Sequence, residues 1–272
     1  MRTSERGRLL NLKLACAVVC ASSFVVEISS AIPLTELSAA AHGYPAMRDL
    51  NGKVLAEGEF LQWSESNRLH VKLIYRFKNQ RRIEEDDVFR QRPEVIQEQY
   101  AWRETANGQV VREFSVNFGT MMATAQKREK GELKHWEEKL EIEPGKTFAG
   151  YGFSLALQNL RKRLVNKERI ELKGVGFKPK PSMLAVEISH AGLEKMEMAG
   201  RIVRGDHFVI HPEVPAIAKV FIRIPDFHVW LTNPAPAGFL RWEAPVVEPN
   251  DPTVRVDLLS GESSGPARPV KE

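Results

Sequence analysis

Three histidines and two acids in the C-terminal half of the chain have the residue types of a transition-metal site. His207, His211 and Glu213 lie close in sequence, and Asp226 and His228 follow on another segment. On a β-strand, however, residues four positions apart are separated by about 13 Å, which is too far for two ligands of one ion. We therefore predict half-exposed strand histidines and no cofactor. A metal-dependent hydrolase built on His207, His211, Asp226 and His228 is kept as an alternative.

Two further patterns are similar to catalytic motifs without meeting their requirements. Residues 152–156 read Gly-Phe-Ser-Leu-Ala, close to a G-x-S-x-G nucleophile elbow, but that elbow belongs to chains in which strands and helices alternate. The acidic run 84–87 and the pair Glu137-Glu138 supply carboxylates. Because neighbouring residues on a strand point to opposite faces, these acids predict a solvated strand edge rather than an acid pair. The sequence predicts no catalytic residue and favours a protein that is not an enzyme.

The first residues have the features of a secretory signal. Four basic side chains precede an apolar run over residues 14–26, and small residues follow at 29–31 and again at 39–41. The run is shorter than the ~20 residues of a membrane helix. We therefore predict a signal peptide over residues 1–31 and an exported protein, periplasmic or secreted; the second cleavage position and an uncleaved anchor stay open. Cys16 and Cys20 lie within this segment, so the exported part has no disulfide or thiol chemistry.

The first half of the remaining chain has the pattern of an antiparallel meander. Over residues 68–78 apolar and polar side chains alternate, which predicts a strand with one face in water. Asn107-Gly108 and Lys130-Gly131 each separate two such segments, and these dipeptides are typical of tight hairpin turns. The pattern predicts about seven strands here, and more over 169–174, 183–190, 195–203, 208–211, 227–232 and 253–259.

One segment breaks this pattern. Phe153, Leu157, Leu160 and Leu164 have helical spacing, which predicts an amphipathic helix near residues 150–165. A single helix among many strands covers an open sheet face or fills a barrel. The predicted fold is mostly β, with one domain over residues 51–260, a lead-in segment over 32–50 and a disordered tail over 261–272.

The second half also resembles a known architecture. The residues that carry the resemblance are Phe148-x-x-Tyr151-x-Phe153-Ser154-Leu155-x-Leu157-x-x-Leu160-Arg161, followed by Val229-Trp230-Leu231 before a proline-containing loop. Over about residues 50–260 the chain resembles a family of exported bacterial domains of unknown function, related in architecture to the LolA-like periplasmic lipoprotein carriers. The resemblance implies a curved, open antiparallel half-barrel with the helix packed on its concave face. It also implies binding of a hydrophobic or acylated ligand, and no catalytic residue.

These observations together predict a non-enzymatic envelope protein that binds an apolar or acylated ligand in a concave cavity. The ligand-binding residues predicted on the helix and the strands are Phe153, Leu157, Leu160, Leu73, Tyr75, Phe77 and Trp102. Besides the hydrolase, the other alternative to this function is an interaction module with a filled core. The net charge is +4, and residues 1–31 hold four basic and two acidic side chains, which leaves about +2 (+4 − 2) for the rest. Because this charge is small, we expect no nucleic acid as a partner. The expected partners are a lipid or an acylated protein, with or without peripheral membrane contact. The oligomeric state is left open.

Overall fold

The computed structural model describes residues 31–198, 200–213, 224–234 and 236–258. Residues 1–30 of the predicted signal peptide and the predicted disordered tail 261–272 lie outside the described residues. Sixteen strands and one helix occupy the described part.

The elements follow one another in this order: β1 (Ala41–Gly43), β2 (Ala46–Arg48), β3 (Val54–Glu65), β4 (Arg68–Phe77), β5 (Arg81–Arg90), β6 (Ile96–Ala106), β7 (Gln109–Asn117), β8 (Met122–Glu129), β9 (Glu132–Lys139), β10 (Thr147–Phe148), α1 (Gly152–Val165), β11 (Ile170–Lys178), β12 (Lys180–Met198), β13 (Arg201–Glu213), β14 (Phe227–Thr232), β15 (Phe239–Pro245) and β16 (Thr253–Asp257).

All strands belong to one sheet. The hydrogen-bonded order runs from β10 through β11–β16 to β2 and then through β3 to β9, and β1 pairs with β3. Every pairing is antiparallel except that of β10 with β11. The strands at the two ends of this order, β9 and β10, do not pair with each other. The prediction of a mostly β protein with one large, unclosed antiparallel sheet and one helix is confirmed.

The sheet rolls until its two ends approach each other. Lys180 at the start of β12 forms an ion pair of 2.6 Å with Glu138 of β9. Phe177 of β11 stacks on Phe114 of β7 with 4.5 Å between ring centroids, and on Tyr100 of β6. The β10–β12 end of the sheet therefore lies against the inner face of β6–β9, and the rolled sheet encloses an interior.

Several predicted strands and turns agree with the structure, and two do not. The turns at Asn107-Gly108 and Lys130-Gly131 have positive φ at both residues, as tight hairpins require. The predicted strand 195–203 is wrong, because the chain reverses at Gly200, where φ is +68°. The predicted segment 183–190 is only part of β12, which continues through an irregularity between His190 and Gly192.

The lead-in segment 32–50 contributes two short strands to the sheet. β2 lies between β3 and β16, with Met47 opposite Val256. Upstream of it, Ile32 is fully buried, donates its N–H to the Gly145 carbonyl and accepts from Val95 N–H.

Helix α1 lies inside the rolled sheet. Leu157, Leu160 and Leu164 are buried, as the apolar spacing predicts. Its polar side is covered as well, because Thr35 N–H donates to Asn159 Oδ1 and the hydroxyl of Ser38 bonds to Gln158 Oε1. The segment 32–38 therefore completes the burial of the helix.

Arg161 of α1 pairs with a residue of the sheet, although its position in a basic run suggests a solvated side chain. The run 161–163 suggests a solvated helix end, yet the Arg161 guanidinium forms a 2.6 Å ion pair with Asp206 of β13, a residue only 2% exposed. Asn233 Nδ2 donates to the same carboxylate at 2.9 Å. This buried pair ties the helix to β13.

Candidate functional site

The interior contains a cavity of about 200 Å³. Its walls come from β4–β6, the start of α1, β11–β15 and the segment that follows β15. Most of the lining is apolar, with Trp102, Val229 and Trp242 as examples. A mostly apolar concave site with a few polar groups is the usual form of a small-molecule binding site.

The ligand-binding residues predicted from the sequence fall into two groups. Those that border the cavity are Leu73, Tyr75, Trp102 and Phe153. Leu157 and Leu160 are fully buried in the core but do not border the cavity, since they lie further along the helix than Phe153. Phe77, at the end of β4, is half-buried beneath the Arg81 guanidinium, which lies 4.3 Å from its ring centroid.

A pair of carboxyl groups lies at the cavity, and one of the two, Glu85, borders it. Glu85 and Asp87 lie two positions apart on β5 and therefore face the same side of the sheet. Glu85 borders the cavity and its Oε1 accepts from Tyr151 N–H at 2.7 Å. Asp87 is 1% exposed, and its Oδ1 accepts from Gln97 Nε2 at 2.7 Å. Within the described residues no donor reaches Asp87 Oδ2.

The expectation of a solvated edge over residues 84–87 is therefore wrong. β5 is an inner strand, hydrogen-bonded to β4 on one side and β6 on the other. Only Glu84 and Asp86 behave as expected: they point outward, where Glu84 bonds to Arg82 and Asp86 pairs with Lys72 at 2.9 Å. The sequence does contain a signal for the inner pair. Glu85 and Asp87 are two residues apart, and positions 83 and 89, which lie on the same face of the strand, are apolar.

Each carboxyl group changes the pKa of the other. Burial raises the pKa of Asp87 well above its ordinary value, and the nearby Glu85 carboxyl raises it further. Burial also raises the pKa of Glu85, against the opposing effects of Tyr151 N–H and a hydrogen bond from Asp87. Two buried carboxyls this close do not both ionise. The pKa of Asp87 is raised more strongly than that of Glu85, so Glu85, which accepts from Tyr151 N–H, ionises first as the pH rises.

Three tyrosines surround this pair. Tyr75 from β4, Tyr100 from β6 and Tyr151 before α1 all border the cavity. Burial and the charge of Glu85 raise the pKa of each of them, so all three stay neutral. Among the described residues that line the cavity there is no Lys, Arg or His. The charge of Glu85 therefore has no counter-ion there.

The chain between β10 and α1 is shaped to fit these groups. Gln97 holds Ala149 through both of its backbone groups, at 2.8 Å to the N–H and 3.1 Å to the carbonyl. At Gly150, where φ is +48°, a Cβ would overlap the Glu85 carboxyl and the Tyr100 ring. Glycine at position 150 thus lets the backbone approach β5 closely enough for Tyr151 N–H to reach Glu85.

A buried ion network holds the segment that follows β15. The Arg112 guanidinium of β7 lies 2.7 Å from Glu104, 2.9 Å from Asp251 and 3.3 Å from Glu248. Lys127 of β8 adds a 2.6 Å contact to Glu248. Residues 246, 247 and 249 of this segment border the cavity, so the network fixes one of its walls.

The candidate metal ligands form two separate pairs. His207 Nε2 lies 2.9 Å from His228 Nδ1, and its Nδ1 lies 2.7 Å from Glu194. His211 Nδ1 lies 2.7 Å from Asp226. In the part of the chain that the structure describes, no three His, Cys, Asp or Glu side chains are grouped so as to hold a metal ion. The hydrolase alternative thus lacks a common centre for its four residues.

The described residues define a mostly β protein, one large unclosed antiparallel sheet with one helix and an interior cavity. No protein-family model and no curated protein matches the chain. Among solved structures it is similar to a β-barrel-like protein of domain of unknown function DUF1849 from Brucella abortus, at 8% identity and a TM-score of 0.45, over 81% of this chain and 95% of that one. It is also similar to the hypothetical lipoprotein YmcC from Escherichia coli (K12), at 10% identity and a TM-score of 0.34, over 84% and 87%. Scores below 0.5 bear on neither site nor function. The described helix is neither long nor apolar enough to cross a membrane.

Proposed function

We propose that this protein is a non-enzymatic envelope protein that holds an apolar molecule, or the acyl chain of a larger one, inside its rolled sheet. The interior cavity carries the proposal, because its walls are mostly apolar and are held by a buried helix and a buried ion network. An acyl chain gains about 0.8 kcal/mol for each CH₂ removed from water. Useful affinity therefore requires no catalytic or metal chemistry.

A carrier role for lipids or lipoproteins is the more specific form of this proposal. It rests on the resemblance of the second half of the chain to the LolA-like carriers. The placement of Phe153 at the cavity supports it, because the helix and the strands then both contact the bound chain.

Export is part of the proposal, with cleavage after Ala31. Support comes from the segment that would become the new N-terminus: Ile32 is fully buried, and Thr35 and Ser38 bond to side chains of α1. Cleavage at 39–41 would remove these contacts and with them the donors to Asn159 Oδ1 and Gln158 Oε1, which costs free energy. The intact mass of the exported protein distinguishes the two positions.

Native mass spectrometry with organic extraction, on protein expressed with its own signal, tests ligand binding. Gly176→Leu should reduce the bound ligand, because Gly176 borders the cavity and a Cβ there meets no atom within 4 Å. Gly119→Leu, in the turn after β7, is the matched control and should retain the ligand. Wild-type protein that carries no extractable molecule and takes up no added octanol would overturn the proposal.

A further inference from the structure

The carboxyl pair gives the cavity a chemical preference that its apolar walls do not supply. Glu85 borders the cavity and its Oε1 accepts from Tyr151 N–H at 2.7 Å, while among the described residues no donor reaches the second oxygen of buried Asp87. A buried charge without a counter-ion is costly, and an added cation removes that cost. The residues directly opposite Glu85 are Leu73 on β4 and Trp102 on β6, and tyrosines of β4, β6 and the start of α1 border the cavity beside them; none of these residues is positively charged.

The aromatic side chains around the pair are a second, independent observation. Tyr75, Tyr100, Tyr151 and Trp102 all border the same cavity as Glu85. The faces of tyrosine and tryptophan rings attract cations, and an aromatic cage beside a carboxylate is a recurrent way of binding an ammonium group. An anionic head group would meet both the charge of Glu85 and the negative faces of these rings.

We infer that the ligand of this cavity is a cationic amphiphile, an apolar chain whose protonated amine contacts Glu85. The inference rests on the proposed function, since it names the head group of the molecule that the cavity holds. Carboxylate and phosphate head groups are excluded by charge, and a neutral hydroxyl group gains only a hydrogen bond.

Three probes with the same chain separate these head groups: octylamine, octanol and octanoate. Trp102 and Trp242 border the cavity, so binding changes tryptophan fluorescence and gives a Kd for each probe. At neutral pH the amine should bind at least about tenfold more tightly than the alcohol, as expected for a hydrogen bond to a charged group. Octanoate should bind more weakly than either.

Glu85→Gln is the decisive variant, and Glu84→Gln, its outward neighbour on β5, is the matched control. Glutamine keeps an oxygen for Tyr151 N–H but removes the charge. The variant should lose the preference for octylamine while it still binds octanol, which shows that the cavity is intact. Glu84→Gln should behave as wild type.

The outcomes distinguish the two proposals. If all three probes bind equally well, or if Glu85→Gln keeps the preference for the amine, the cationic head group is refuted and the apolar site stands. If no probe binds, the proposed function fails and this inference fails with it.

Discussion

Replacing Asp87 by asparagine should change how the free energy of unfolding depends on pH. The raised pKa of Asp87 determines the direction of this change. Burial and the Glu85 carboxyl raise the pKa of Asp87 in the folded protein, whereas in the unfolded chain an aspartate titrates near pH ~4. Above that pH the folded protein holds a proton that the unfolded chain has lost. Each further pH unit therefore lowers the free energy of unfolding by about 1.4 kcal/mol, until the folded pair itself ionises.

Asparagine imitates protonated Asp87 at every pH. Its oxygen still accepts from Gln97 Nε2, and its N–H replaces the carboxyl proton of Asp87 toward Glu85. The variant should be about as stable as wild type near pH ~4 and should gain up to about 1.4 kcal/mol for each pH unit above it. Urea unfolding of both proteins at a series of pH values measures this gain, and the difference between them cancels the titration of all other groups.

Asp86→Asn is the control, because Asp86 lies on the outer face and pairs with exposed Lys72. Its profile is the baseline for removing an outer carboxylate from the same strand. Parallel pH profiles for Asp87→Asn and wild type would refute the raised pKa of Asp87, since the folded and unfolded states of wild type would then bind the same number of protons at this position.

Three further changes test the packing around the site. Gly150→Ala should lower the free energy of unfolding by about 1–3 kcal/mol in thermal unfolding, because φ is positive there and the Cβ meets Glu85. Arg112→Met should cost about 3–5 kcal/mol in urea unfolding, since it removes the guanidinium that contacts buried Glu104 and Glu248 and half-buried Asp251. Leu157→Ala should cost about 2–5 kcal/mol in the same assay and leave the relative Kd values of the octyl probes unchanged, because Leu157 is buried away from the cavity.

Matched variants separate these local effects from a general loss of stability. Gly131→Ala has a positive φ but open space around its Cβ, so it should cost less than Gly150→Ala. Arg103→Met breaks the outer pair with Glu113 and should cost about 0–1 kcal/mol. Equal losses within either pair would contradict the placement described here, as would a changed head-group preference in Leu157→Ala.

Local patterns in the sequence predict much of the fold. Alternation over residues 68–78 gives β4 almost to the residue, and Asn107-Gly108 gives a hairpin, because both signals depend only on neighbours in the chain. β2 is different: three residues long, it is defined by pairing with β3 and with β16 about two hundred residues away. No local period can predict such a strand.

The residues of the candidate site also differ in whether local patterns in the sequence predict them. Leu73, Tyr75, Trp102 and Phe153 follow from apolar periodicity, and all four border the cavity. The carboxyl pair does not follow from it, because acidic residues are rarely buried and an acidic run suggests a solvated edge. Its burial is set by β4 and β6 on either side of β5, which the run itself does not show.

The position of β2 has a consequence for the order in which the chain folds. Because β2 pairs with β16, the sheet is continuous from β10 to β9 only once residues 253–257 are present. The meander β3–β9 consists of hairpins between sequence neighbours and can form while the rest is still being synthesised. Joining β2 to β16 is a long-range step, so the sheet becomes continuous only after residues 253–257 have paired.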